Sequence, residues 1–140
     1  MHPFRKAVEE RDEAAIQAML AHTVVFTSPV AFKPYVGKPI TAAILRGVLR
    51  VFEDFSYVRE IADGNGRDHA LVFETGIAGV PGVRITGCDF LHFDDDGLID
   101  TFMVMVRPLS GATALSQAMG AQFGRIQQEA VELAEQFATA

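Results

Sequence analysis

The stretch from Gly82 to Pro108, GVRITGCDFLHFDDDGLIDTFMVMVRP, decides how the rest of the chain is read. Val83, Ile85, Phe90, Leu91 and Phe93 precede an acidic turn, and Ile99, Phe102, Met103, Val104, Met105 and Val106 follow it. β-rich apolar runs of strand length on either side of turn chemistry predict a β-hairpin. Both faces of the hairpin are mostly apolar, so helices or a partner subunit must cover one side and a core or pocket the other. Asp89 stands mid-strand in this apolar setting. Asp94, Asp95 and Asp96 are consecutive and lack the alternate spacing that aims oxygens at calcium. With Gly97 behind them they read as a turn.

Working outward, Phe4, Ala7, Val8, Ala15, Ile16, Met19 and Leu20 recur at helical spacing. They predict an amphipathic helix from Pro3 to Leu20, broken near Arg11, with Asp12 capping its second half. Thr23 to Thr27 reads as a short strand ended by Ser28 and Pro29. Pro39 opens a helix whose apolar face includes Ile40, Ile44, Val48 and Phe52 and must lie against a sheet. Strands follow at Phe55 to Ala62 and Asp68 to Ala78, separated by the turn Asp63-Gly64-Asn65-Gly66. Gly76, Gly79 and Gly82 form no dinucleotide fingerprint, because they join two strands instead of opening a helix. After Pro108 the seam Leu115, Met119, Phe123, Ile126, Ala130, Leu133 and Phe137 predicts a helix of about 25 residues with a coiled-coil type of face.

The 140 residues suit one domain, with residues 1–110 as an α+β body and residues 111–140 as a C-terminal helix belonging to it, a lid or a dimerisation element. A composition 49% hydrophobic and 21% charged excludes a disordered chain. The net charge of −6, without a Lys/Arg run, argues against nucleic acid and anionic membranes as partners. No apolar run reaches the ~20 residues of a membrane span. The N-terminus lacks the apolar core of a secretory signal, and the single cysteine, Cys88, cannot build a disulfide framework. Cytoplasmic residence is the expectation. His2, His22, His69 and His92 show no metal-ligand spacing, so no metal or other cofactor is expected.

The order helix, short strand, helix and four strands, with VVFTSP, GKPITAAILRGVL and the opening hairpin, resembles the nuclear transport factor two-like superfamily. The similarity runs from about Phe4 to Pro108 and is strongest to the SnoaL-like polyketide cyclase and ketosteroid isomerase branch. It implies a cone-shaped, cystatin-like α+β domain, a curved antiparallel sheet wrapped around the N-terminal helices, usually dimeric, with a pocket between sheet and helices. It also implies that Asp89 stands where the isomerases keep a protonated carboxylic acid that donates a hydrogen bond to an enolate oxygen. The chain departs from that pattern at Ser28, where the isomerases place a basic aspartate before the proline, and at Phe4 and Leu45, where they place tyrosines.

If Asp89 faces the pocket, period two puts Ile85, Gly87 and Leu91 beside it and Cys88 outward. Burial among them predicts a raised carboxyl pKa. Glu74 is the second candidate for acid or base work, with a rim position paired to Arg84 as its alternative. Phe26, Ser28, Val48, Phe52, Val72, Phe102 and Val104 are expected to line the pocket around an apolar or polycyclic ligand with one polar end. Phe90, His92, Met103 and Met105 on the outward face, with Met119, Phe123, Ile126 and Leu133 on the last helix, leave apolar surface that predicts a homodimer. Two functions stay open: a cofactor-free isomerase or cyclase using Asp89 and Glu74, and a non-catalytic ligand-binding or protein-interaction module.

Overall fold

The computed structural model describes residues 1–139. Helices α1 (Pro3–Glu9) and α2 (Glu13–Ala18) are followed by strands β1 (Leu20–Thr27) and β2 (Tyr35–Val36), then helix α3 (Lys38–Val51). Strands β3 (Phe52–Ala62), β4 (Asp68–Ile77), β5 (Val80–Phe93) and β6 (Ile99–Arg107) lead into helix α4 (Leu109–Thr139). The result is an α+β fold with one curved six-stranded sheet in the order β2-β1-β6-β5-β4-β3. β1 runs parallel to β6, and every other neighbouring pair is antiparallel. None of its helices, among the described residues, is long and apolar enough to cross a membrane.

The N-terminal break falls where expected. Arg11 adopts φ 54°, and the Asp12 carboxylate accepts from the Ala15 amide, so the chain turns and restarts as α2 with a capped first turn. β1 begins at Leu20, three residues before the expected Thr23, because Leu20 ends the helical face and at once pairs with Ile99 of β6. β3 likewise starts at Phe52 directly after α3, ahead of the expected Phe55.

The inner face of the sheet buries Phe26, Leu71, Phe73, Ile85, Leu91 and Phe102, on which α1 and α3 set Phe4, Ala43 and Ile44. α4 has 31 residues, longer than the expected helix. Its apolar seam does not await a partner: Ile126 and Leu133 are 0% and 1% exposed within this one chain. The reason is Gly47 on α3, where a Cβ would lie 2.7 Å from Ile126 Cδ1, so only a glycine lets the two helices approach this closely. Beside this contact the Glu129 carboxylate takes Arg46 at 2.9 Å and Arg50 at 2.8 Å, which ties α4 to α3 by charge as well as packing.

Candidate functional site

Between the inner face of the sheet and the helices lies a cavity of about 290 Å³. Phe26, Ser28, Val48, Phe52, Asp89, Phe102 and Val104 all line it, together with Leu115 and Met119 from the start of α4. Its wall is mostly apolar, and the polar groups in it are therefore informative. Asp89 is 6% exposed, with Leu71 of β4 and Val104 of β6 as its cross-strand partners. Its neighbours two residues away, Gly87 and Leu91, are buried on the same side.

The Tyr57 hydroxyl donates to Asp89 Oδ2 at 2.6 Å. Burial pushes the Asp89 carboxyl up to about 7, while the hydrogen bond from Tyr57 pulls in the opposite direction. Desolvation and the neighbouring Asp89 raise Tyr57 well above the ordinary phenol value, so the phenol keeps its proton. With its proton on, Asp89 is a donor in a low-dielectric wall, its Oδ2 held by the Tyr57 hydroxyl, and is suited to an oxygen acceptor that gains negative charge.

Tyr57 reaches this position through a β-bulge. Glu53 pairs with Gly76 and Ser56 with Glu74, so Asp54 and Phe55 together face Thr75 alone. Asp54 takes φ 53°, and strict alternation from Phe52 would have turned Tyr57 outward. The extra residue restores the inward aim of Phe55 and Tyr57, which line the cavity with Phe52 and Asp54. Phe55 then packs edge-on against Tyr57, with ring centroids 4.8 Å apart, and holds the phenol against Asp89.

Val72 and Glu74 do not join the cavity. β4 pairs Leu71 with Asp89 and Phe73 with Gly87, so Val72 lies opposite the outward Cys88 and Glu74 opposite Thr86. The Glu74 side chain is 51% exposed and sits 3.9 Å from Arg84, the rim arrangement. The expected pairing of Asp89 with Glu74 is thus replaced by one of Asp89 with Tyr57. Tyr57 escaped the sequence reading, although Phe55 and Tyr57 share parity in FSYVREIA and a buried phenol needs a partner for its hydroxyl.

Phe4 and Leu45 line the cavity with apolar groups, and Ser28 Oγ accepts from the Val30 amide at 3.1 Å, which shapes its own turn. His92 is bonded to Asp100 at 2.7 Å away from the cavity. Asp94 Oδ1 accepts from the amides of Asp96 and Leu98, so the acidic run is a self-capped turn. Among the described residues no cluster of three or more His, Cys, Asp or Glu forms a metal site.

A family model described as a SnoaL-like domain matches residues 2–102. The chain belongs to the SnoaL-like domain family. Among solved structures, this SnoaL-like chain is 39% identical to a steroid delta-isomerase from Pseudomonas aeruginosa, with 89% of each chain covered and a TM-score of 0.81. It is 33% identical to an uncharacterised bacterial protein with a cystatin-like fold from Silicibacter pomeroyi, covering 86% of this chain and 82% of that one at a TM-score of 0.78. A putative SnoaL-like polyketide cyclase from Shewanella denitrificans shares the fold at 18% identity and a TM-score of 0.59, over 88% and 93% of the two chains. No curated protein matches the chain. The cystatin-like cone expected for a SnoaL-like domain is the architecture observed, with a tyrosine supplied by the bulged third strand.

Proposed function

We propose that this SnoaL-like domain is a cytoplasmic, cofactor-free isomerase or cyclase that binds an apolar, polycyclic carbonyl compound and stabilises its enolate. The observation that carries this reading is the 2.6 Å hydrogen bond between Tyr57 and a buried Asp89 in the wall of an apolar cavity. A ketone oxygen seated there accepts from the neutral acid, whose other oxygen Tyr57 holds in place. This bond shortens and strengthens as the oxygen gains charge, so it favours the transition state over the bound ketone. The similarity to a steroid delta-isomerase supports a rigid, multi-ring ligand whose remaining surface fits Phe26, Val48, Phe52 and Phe102.

Ser28 favours a second reading. It stands where the isomerases carry their basic aspartate, which suits a ligand-binding or protein-interaction module in which Asp89 only orients a polar group. A β,γ-unsaturated ketosteroid distinguishes the two, because its conversion to the conjugated isomer is followed by ultraviolet absorbance. Turnover that falls at least ~100-fold in Asp89→Ala supports the enzyme. Binding without turnover by the wild type supports the module, and neither binding nor turnover contradicts both.

We further propose a homodimer formed through the outer face of the sheet, where Phe90 is 41% and Met105 56% exposed. Sedimentation at micromolar concentration tests it: a dimer weakened by Phe90→Lys is expected, and a monomeric wild type contradicts it.

A further inference from the structure

Enolisation needs a base as well as an oxyanion donor, and neither Glu74 nor Ser28 supplies one. The other titratable or charged residues at the cavity are Glu9, Arg11, Asp54 and Tyr57. Glu9 is held by the Arg5 guanidinium at 3.0 Å, and Arg5 also reaches Glu60 at 3.1 Å. Arg11 donates to the Leu49 carbonyl at 2.9 Å and has no acceptor function. Asp54 differs from these. Its carboxylate makes no hydrogen bond or ion pair among the described residues, while its backbone carbonyl accepts from Arg84 at 3.4 Å. It is the bulge residue at φ 53°, a conformation unusual for a residue with a side chain and concentrated at functional sites. Asp54 sits within the bulge that turns Tyr57 toward Asp89, and it lines the same cavity.

We propose that Asp54 is the proton-transferring base of this site, carried within the β3 bulge at the cavity and acting on the ligand whose oxygen rests on Asp89. The inference rests on the isomerase reading and adds to it the group that moves the proton. Asp54 takes a proton from the carbon between the ketone and the isolated double bond. The C–H electrons form a new C=C bond, and the carbonyl π electrons move to oxygen, where the Asp89 acid donates to it. The neutral Asp54 acid then returns the proton to the far end of the dienolate, and the carbonyl re-forms. No electron is gained or lost overall. An unpartnered carboxylate is the form this step requires, since a salt-bridged one would lose its partner's stabilisation on protonation.

The test follows a β,γ-unsaturated ketosteroid in deuterium oxide by proton NMR, with affinity for naphthol, a phenolic polycycle, measured separately. Asp54→Asn and Asp54→Gly both remove the carboxylate, and the glycine variant accepts the positive φ without strain. Isomerisation and deuterium exchange are expected to fall at least ~100-fold in both, while naphthol affinity holds and Asp54→Glu recovers part of the rate. Wild-type rates in the Asn and Gly variants overturn the role of Asp54 and leave the isomerase reading standing. Loss of naphthol binding in parallel with the rate makes Asp54 a structural group and also overturns the proposal. A wild type that neither isomerises the ketosteroid nor exchanges its protons overturns the isomerase reading and Asp54 with it.

Discussion

Phe73 lies directly across the sheet ladder from Gly87, with its ring over the glycine: a Cβ on Gly87 would stand 2.8 Å from Phe73 Cε1. Phe73 also meets Tyr57 edge-on, with centroids 6.2 Å apart, so the glycine makes room for the ring that helps position the phenol beside Asp89. Gly87→Ala is expected to cost about 1–3 kcal/mol by forcing Phe73 from its place. Urea denaturation measures the loss, and Phe73→Leu in the same chain should recover part of it. An alanine variant as stable as the wild type shows that the ring has another place to go.

Removing the Tyr57 hydroxyl removes the one influence that lowers the Asp89 pKa. Tyr57→Phe should therefore move the Asp89 carboxyl above its value of about 7, as read from its carbon resonance. It should also destabilise the fold by about 1–3 kcal/mol, because a buried carboxyl oxygen loses its donor. A fall in the Asp89 pKa contradicts the hydrogen bond's assigned direction.

Asp89 holds its proton in the folded chain between its ordinary value of 3.8 and about 7, where the unfolded chain has released it. Native protein thus binds more protons in that window, and stability declines as pH rises through it, by up to about 1.4 kcal/mol per pH unit, then levels off. Asp89→Asn should fold and lose that slope. Thermal unfolding across the window compares the two chains, and an unchanged slope in the asparagine variant assigns it to other groups.

Glu129 bridges Arg46 and Arg50 from α4 to α3, and the Arg50 and Arg46 hydrogen bonds outweigh desolvation to hold its pKa below the usual carboxylate value. Glu129→Ala leaves two facing guanidiniums, partly in solvent, and is expected to cost about 1–3 kcal/mol. Because Leu115 and Met119 of α4 wall the cavity, the variant should also loosen ligand binding. Hydrogen exchange along α4 reads this directly, and unaltered protection contradicts the anchoring role.

Val104 pairs with Asp89 and lines the cavity, so Val104→Trp should fill the chamber beside the acid and abolish binding of a ketosteroid first shown to bind the wild type. Unchanged affinity in a folded variant places the ligand elsewhere.

Asp89 was legible in the sequence because Ile85, Gly87 and Leu91 keep period two around it, and alternation carries through an unbroken strand. Glu74 and Val72 were not, since Leu71, Val72 and Phe73 are apolar on both faces and only the pairing of Leu71 with Asp89 fixes their parity. The role of Tyr57 depends on one inserted residue at Asp54, which hydrophobic alternation does not register. The spacing of Ile126 and Leu133 announced an apolar seam. Its destination was hidden in Gly47, a helical glycine whose value lies in the close approach it permits.

In the proposed function Asp89 is a neutral acid donating to a ligand oxygen. The affinity of a polycyclic enone, which at that oxygen can only accept, tests this role on both sides of the Asp89 pKa of about 7. Constant affinity is expected below that pH and steady weakening above it, with the weakening absent in Asp89→Asn, whose amide donates at every pH. Enone binding that is equally strong above and below pH 7 in the wild type, or an Asp89 carboxyl that titrates at the ordinary 3.8, would contradict it.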